Sequence, residues 1–110
     1  MKKYLECAPG GNATHLKIEV CYDKGGFNCF TMREEKRGYY LSVTPIKREV
    51  FEGITLESVI CFSGVKRCVK EVSRRSEKAQ REAEALAPTM WGELVRYACD
   101  KNGLEVLPDA

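Results

Sequence analysis

Alternating hydrophobic and polar residues predict four β-strands in the first part of the chain. The clearest alternation covers residues 15–23, where Leu16, Ile18, Val20 and Tyr22 fall on one face. A period of two residues places such side chains on one side of a half-buried strand. The other predicted strands are 27–32, 39–44 and 54–62.

Glycine and proline mark the predicted connections between these strands. Gly25 and Gly26 tolerate positive φ angles, which is typical of a hairpin turn, so 27–32 is expected to return along the first strand. Residues 33–38 form a predicted charged turn. Pro45 has no backbone N–H, so the third strand should end there or lie at an edge, and residues 46–53 should form a loop.

From residue 65 onward the hydrophobic period changes to that of a helix. Val65, Cys68, Val69 and Val72 lie at i, i+3, i+4 and i+7, which indicates one buried helical face. Ser63 is the predicted N-cap of this helix. Two alternatives stay open: a hairpin that turns beside Ser63, which fits the alternation less well, and a break after Val72.

A break after Val72 would make Ser73 the N-cap of a second helix that ends near Ala87. Pro88 then interrupts the pattern, and Thr89 is the predicted cap of a last helix. An apolar stripe marks the buried face of that helix: Trp91, Leu94, Val95, Ala98 and Cys99. Asn102-Gly103 is its predicted end.

Strands that precede helices favour an α+β fold. We expect an antiparallel sheet of about four strands, arranged as a meander, followed by two or three helices packed on one face. The chain of 110 residues is long enough for one domain. Its predicted parts are an N-terminal tail or edge (1–13), the sheet (14–62), the helices (64–103) and a C-terminal tail (104–110).

The chain lacks the features of an exported or membrane-spanning protein. Polar residues, proline and glycine follow Met1-Lys2-Lys3 where a signal peptide would be apolar, and no apolar run approaches the length of a membrane span. We therefore expect a cytoplasmic protein with no membrane partner, in which thiols stay reduced.

Six cysteines raise the question of a metal site, but none of them forms a close Cys-x2-Cys pair, so no metal and no cofactor are predicted. A site built from Cys7, His15, Cys21 and Cys29 stays open as an alternative. The main interpretation is that five cysteines are small packed hydrophobes. These are Cys21, Cys29, Cys61, Cys68 and Cys99.

The sequence does not indicate an enzyme. It has one histidine, His15, which is predicted to lie on the polar face of its strand, and it has no phosphate-binding glycine loop. Two kinds of binding surface are the remaining functional hypotheses.

The first surface is basic. Residues 66–81 contain seven lysines and arginines against two acidic residues, a local charge of +5 in a chain of net charge +2. Clustered cations beside aromatic residues are typical of nucleic-acid binding, which is the alternative function. The candidate residues in the predicted helix are Lys66, Arg67, Lys70, Arg74, Arg75 and Lys78. Those in the flanking turns are Arg33, Arg37, Lys47 and Arg48.

The second surface is apolar. A two-layer fold covers one face of its sheet, so aromatic residues on the other face would need a partner. The candidates are Phe27, Phe30, Tyr39 and Tyr40. The main functional hypothesis is therefore a non-enzymatic protein-interaction module, with a homodimer as one form.

Several short blocks of this sequence resemble small uncharacterised proteins carried by phages and mobile elements of gut Firmicutes. These blocks are GGFNCFT at 25–31, RGYYLSVTP at 37–45, FSG at 62–64 and SRRSEKA at 73–79, and the resemblance covers about residues 15–85. It implies a cytosolic accessory protein that binds nucleic acid or a protein machine. The group has no assigned activity, so the resemblance implies no site residues.

Overall fold

The computed structural model describes residues 2–8, 12–60 and 64–108. Within these ranges it has seven strands and two helices, so the α+β class is confirmed but the number of strands exceeds the four predicted. The strands are β1 (Lys2–Glu6), β2 (His15–Asp23), β3 (Gly26–Asn28), β4 (Arg33–Glu35), β5 (Gly38–Phe51), β6 (Ile54–Val59) and β7 (Val65–Glu71). The helices are α1 (Glu77–Leu86) and α2 (Pro88–Asn102).

The long strand β5 organises the main antiparallel sheet. β1 pairs with β2, and β2 pairs with β5. Val43 of β5 lies opposite both Ile18 of β2 and Val65 of β7, and Ile46 lies opposite both His15 of β2 and Val59 of β6. β6 and β7 therefore follow one another along the edge of β5 that β2 does not occupy.

The hydrophobic core lies between one face of this sheet and the two helices. The predicted inner face of β2 is confirmed, because Leu16, Ile18 and Val20 are buried. From β5, Leu41 and Val43 join them. The helices contribute mainly small buried residues, which lets their backbones lie close to the sheet. These are Ala79, Ala83, Leu94 and Ala98.

Trp91 lies at the border of this core. The chain's one tryptophan is partly buried on α2, and the Nζ atom of Lys3 on β1 lies 4.7 Å from its ring centre. A cation over an aromatic face is attracted by the quadrupole of the ring. Within the described chain, the buried Nε1 atom of Trp91 has no hydrogen-bond partner.

The prediction that Pro45 ends the third strand is wrong. β5 continues through Pro45 to Phe51, so residues 46–53 form strand and turn instead of a loop. The missing N–H of Pro45 falls where β6 has ended and β7 has not begun, so no sheet hydrogen bond is lost. Its carbonyl oxygen still accepts a hydrogen bond from the Ile60 N–H, at 3.3 Å.

The predicted return strand over 27–32 is also wrong, as is the charged turn over 33–38. β3 and β4 pair with each other as a separate two-stranded sheet, which we call the flap (residues 26–35). Gly25 and Gly26 have φ angles of 72° and 109°, and they direct the chain away from β2. The side chain of Asn28 then accepts hydrogen bonds from the N–H groups of residues 30 and 31, which closes the flap turn.

The predicted helix that begins at Val65 is a β-strand, so Ser63 is not its N-cap; Ser63 itself lies outside the described residues. β7 has an irregularity between the residues paired with Tyr39 and Tyr40, where Val69 is an extra residue. Val65 and Val69, which are four residues apart, pack on the core side, whereas Cys68 is paired with Tyr40 on the other face. Apolar residues on both faces of β7 therefore have the spacing of a helical stripe.

Both alternatives left open by the sequence are correct in part: the segment after residue 64 is a strand, although it pairs with β5 and not with β6, and the chain breaks before α1, although the N-cap is Ser76 instead of Ser73. The Oγ atom of Ser76 accepts a hydrogen bond from the N–H of Ala79 at 3.1 Å. Pro88 begins α2 directly after Ala87, because its missing N–H costs nothing in a first helical turn. Thr89 is not a cap; its hydroxyl donates to the carbonyl of Leu86.

The end of α2 confirms the predicted stop. Gly103 adopts a left-handed conformation with φ of 63°, which ends the helix. The chain then runs beside the N-terminal segment: the N–H of Ala8 donates to the carbonyl of Glu105, and the N–H of Leu107 donates to the carbonyl of Glu6. None of the helices in the described chain is long and apolar enough to cross a membrane.

Candidate interaction surfaces

The end of β5 and the whole of β6 form a hairpin that projects from the sheet, which we call the arm (residues 47–59). Among the strands and helices of the described chain, only β5 lies against the backbone of β6. Glu52 and Gly53 form the turn with φ angles of 51° and 79°, as a two-residue hairpin of type I′ requires. The radius of gyration, 14.8 Å, exceeds the roughly 13 Å of a compact chain of this length, consistent with a projection.

The arm exposes large apolar side chains. Phe51 and Ile54 are opposite one another across the hairpin and are 66% and 63% exposed. Leu56 lies on the same face, two residues along β6, and is 52% exposed. Val50 and Val59 are exposed on the other face. We call Phe51, Ile54 and Leu56 the apolar strip.

Charged side chains hold the base of the arm on the side away from the helices. The carboxylate of Glu57 accepts a hydrogen bond from the hydroxyl of Tyr4 at 2.5 Å and forms an ion pair with Lys17 at 3.4 Å. The guanidinium of Arg48 lies 4.2 Å from the Tyr4 ring and 3.9 Å from Glu57. The Tyr4 hydroxyl, followed by these cations, lowers the pKa of Glu57. The base of the arm is therefore fixed while its tip is exposed.

The outer edge of β6 has unpaired backbone groups. In an antiparallel ladder, alternate residues direct both their N–H and C=O groups to the same neighbour. The hydrogen bond from Ile60 to Pro45 continues the β5–β6 register, so Ile54, Leu56 and Ser58 direct these groups toward β5. Thr55, Glu57 and Val59 direct theirs outward. Within the described chain, no strand pairs with this edge.

The flap exposes a second set of apolar residues. Phe27 and Phe30, both predicted to bind a partner, are 61% and 79% exposed, and Met32 is exposed beside them. Tyr39 and Tyr40 were predicted to share that role, but they are only 1% and 8% exposed. The two tyrosines are structural, and the prediction of a continuous aromatic surface is wrong.

Each tyrosine fixes one neighbouring segment to β5. The Tyr39 hydroxyl donates to the carbonyl of Ser76 at 2.8 Å and accepts from its N–H at 3.0 Å, so it holds the start of α1. The Tyr40 hydroxyl donates to the carbonyl of Lys36 at 2.6 Å, beside the flap. The side chains lie on opposite faces of β5, and both faces are thereby covered at this point.

Lys66 holds the flap against the sheet. Its Nζ atom lies 2.7 Å from a carboxylate oxygen of Glu35, 3.3 Å from one of Asp23 and 5.0 Å from the Tyr40 ring centre. Burial lowers the pKa of Lys66, but the two carboxylates more than offset this and the pKa is raised. Lys66 in turn lowers the pKa of Glu35. A groove of about 540 Å³ between flap and sheet lies beside Lys66.

Ion pairs occupy half of the ten cations predicted to bind nucleic acid. Besides Lys66, Arg67 pairs with Glu93 at 3.1 Å and Lys70 with Glu82 at 2.6 Å. Lys47 and Arg48 pair with carboxylates on the arm. Because residues 65–71 form a strand instead of a helix, Lys66, Arg67 and Lys70 do not share one face, and together they point to both faces of the sheet. The single basic helix face predicted over 65–81 does not exist.

The remaining cations gather mainly where β7 leads into α1. Arg37 donates to the carbonyl of Ser73 at 2.9 Å, and the Arg75 guanidinium lies 5.7 Å from the Tyr22 ring centre. Within the described residues, Arg74 and Lys78 form no ion pair. We call Arg37, Arg74, Arg75 and Lys78 the basic corner. Arg33 lies apart from it, exposed on the flap.

The cysteines do not form a metal site in the described chain, where no three His, Cys, Asp or Glu residues are placed to hold an ion. Cys7 is buried, and burial raises the pKa of its thiol. Cys21 and Cys29 are exposed, so the prediction that they are packed is wrong. Cys68 and Cys99 are partly buried, and Cys61 lies outside the described residues.

Comparison with known proteins does not assign the chain to a class. No protein-family model matches it, and no curated protein or solved structure matches it. The resemblance to phage and mobile-element proteins therefore stays a prediction.

Proposed function

We propose that this protein is a non-enzymatic interaction module that binds a protein partner through its arm. The observation that carries the proposal is the apolar strip, which is exposed on a hairpin whose base is fixed. The sequence resemblance suggests the setting: an accessory protein of a phage or mobile element that acts on a protein machine.

The energetics of apolar exposure support this role. Burying apolar surface stabilises a contact by about 25 cal/mol per Å². Exposed aliphatic and aromatic residues scattered singly are normal, but a contiguous group on a projecting element is typical of a contact surface. The arm adds no core to the fold, since none of residues 47–59 is buried. Its apolar residues are therefore best explained by association.

The test compares the native protein with an arm variant in which Phe51→Ser, Ile54→Thr and Leu56→Thr replace the apolar strip. The matched control is a flap variant, Phe27→Ser with Phe30→Ser, which removes equally exposed aromatic residues elsewhere. Each protein is analysed by sedimentation velocity for self-association and by affinity capture from a host-cell lysate for other partners. Circular dichroism verifies that both variants fold.

The arm variant should lose association in whichever assay the native protein shows it, and the flap variant should keep it. Equal behaviour of the native protein and the arm variant in both assays would contradict the proposal. If only the flap variant lost association, the partner would bind through Phe27 and Phe30 instead of the arm.

Nucleic-acid binding remains the second candidate function, and the basic corner favours it. Arg74, Arg75 and Lys78 are exposed cations without ion pairs in the described chain, beside Arg37. Phosphate contacts release counterions, so binding should weaken steeply with salt. Fluorescence anisotropy with labelled single- and double-stranded DNA and RNA tests this. Changing Arg74, Arg75 and Lys78 to glutamate should abolish binding; unchanged binding would refute the basic corner as the site.

A further inference from the structure

We infer that the arm's partner is a second copy of this chain, joined by antiparallel pairing of β6 with β6 across a two-fold axis at Leu56. This inference rests on the proposed function, because it names the partner of the same surface. In the resulting dimer the two main sheets form one continuous sheet.

The two edges of the main sheet are protected to different degrees. At the β1 edge, residues 104–107 run beside residues 6–8, and Lys2 and Lys3 occupy the start of the strand. Native proteins block exposed edges with lysine, proline, bulges or covering segments. β6 is six residues long and regular, and it contains no lysine, arginine or proline. Such an edge is a template for another strand.

The outward backbone groups of β6 define a self-complementary register. A two-fold axis at Leu56 places Thr55 of one copy opposite Glu57 of the other, and the reverse. Both residues direct N–H and C=O groups outward, so each of these two pairs is a hydrogen-bonded pair. Leu56 then faces its own copy as a non-hydrogen-bonded pair, in which the side chains are closest.

The side chains are compatible with this register. The Leu56 pair brings the two apolar strips together on the same face of the combined sheet. On the other face, Thr55 of one copy is opposite Glu57 of the other, whose carboxylate is held by Tyr4 and Lys17 of its own copy, so no like charges meet in this register. A register centred on Glu57 would instead place two carboxylates directly opposite one another, which is destabilising.

The size of the contact indicates its strength. A pairing of two six-residue strands is smaller than a standard interface of roughly 800 Å² per partner. We therefore expect a dimer with a micromolar dissociation constant, which dissociates on dilution.

Sedimentation velocity on the full chain, under reducing conditions and over about 5 to 500 µM, measures this equilibrium. Leu56→Asp places two charges opposite one another and should raise the dissociation constant by about tenfold or more. Thr55→Pro should do the same, because it removes an outward N–H and no hydrogen bond to β5. Phe30→Asp is the matched control, and it should leave the dissociation constant unchanged.

Oxidative cross-linking tests the register itself. In a background where Cys21, Cys29 and Cys61 are serine, Leu56→Cys should form a disulfide between copies, since a non-hydrogen-bonded pair has Cα atoms about 4.5 Å apart. Ser58→Cys is the control, because in this register it faces Ile54 of the other copy and should not cross-link.

A concentration-dependent dimer weakened by Leu56→Asp and Thr55→Pro, and cross-linked only by Leu56→Cys, would support the inference. A monomer at all concentrations would refute it, and arm-dependent capture from lysate would then still support the proposed function with a different protein as partner. A dimer whose dissociation constant is unchanged in both arm variants would refute the inference. It would also show that the arm takes no part in self-association. Cross-linking by Ser58→Cys instead would refute the register.

Discussion

The two halves of β5 differ in their surroundings although they are one continuous strand. Residues 38–46 are paired on one edge with β2, residues 38–43 are paired on the other edge with β7, and this half lies between the helices and the flap. Residues 47–51 are paired only with β6, and Val50 and Phe51 are exposed. Both halves contain valine and an aromatic residue. Neighbouring segments, and not residue type, therefore decide which half is core and which is surface.

The largest expected contrast comes from the same substitution in the two halves. Val43→Ala should lower the free energy of unfolding by about 2 kcal/mol, because it removes buried methyl groups and leaves a cavity. Val50→Ala removes the same groups from a residue that is 74% exposed, and its effect should stay within about 0.5 kcal/mol.

Urea denaturation at low protein concentration, where any association is absent, measures both values. Equal losses of stability in the two variants would show that the arm is part of the cooperative core, and the contrast between the halves would not hold.

A smaller effect is expected from Tyr39→Phe, which removes the hydroxyl that holds α1 to the buried half of β5. The N–H of Ser76 would lose its partner, and its C=O would keep only the hydrogen bond from the Gln80 N–H, at a cost of about 1–2 kcal/mol. Tyr97→Phe is the matched control, since Tyr97 is exposed and its substitution should be neutral. Thermal unfolding of both variants measures the difference, and a neutral Tyr39→Phe would show that the helix docks without this hydroxyl.

The smallest expected effect on stability concerns the flap. The flap covers the face of residues 38–46 of β5 that is not covered by the helices. Lys66→Met should release the flap and raise amide hydrogen exchange at residues 26–35, with little change in the melting temperature. The matched control is Lys47→Met, which removes an exposed ion pair on the arm. Unchanged exchange in the flap after Lys66→Met would show that the Tyr40 hydroxyl alone is sufficient to hold it.

Acid should have the same local effect as Lys66→Met. The pKa of Asp23 is lowered by the Gly25 N–H and by Lys66, and that of Glu35 by Lys66 and Asn28. Carboxylates with lowered pKa values stabilise the folded state above the ordinary carboxyl pKa, and this contribution is lost as the pH falls through the lowered values. Flap exchange corrected for its intrinsic pH dependence should therefore increase below about pH 4. A constant corrected rate between pH 6 and pH 3 would contradict this.

Sequence reasoning identified the buried half of β5 better than the projecting half. The alternation from Leu16 to Tyr22, and that around Leu41, follows directly from a sheet with one covered face, so these positions were predictable. Pro45 was misleading, because proline ends a strand only where its N–H is required. Here it lies at an interruption in the neighbouring strands, which depends on pairing between distant residues.

The candidate site was predicted only in part for similar reasons. Phe27 and Phe30 are exposed as expected, but the exposure of Phe51, Ile54 and Leu56 was missed, since a β-rich stretch after a hairpin turn also fits a core strand. Val65 and Val69 on the core side of β7, with Cys68 on the other face, have the spacing of a helical stripe and suggested a basic helix that does not exist. Apolar residues on both faces of a strand thus conceal its period of two.

The position of Trp91 provides an optical probe for this molecule. Excitation at the red edge of the absorption band reports on that one indole, whose emission depends on contact with Lys3 and with the surrounding core. The arm contains no tryptophan. Emission should therefore follow the docking of α2 on the sheet while remaining silent to events at residues 47–59, so folding and association can be recorded separately in one sample.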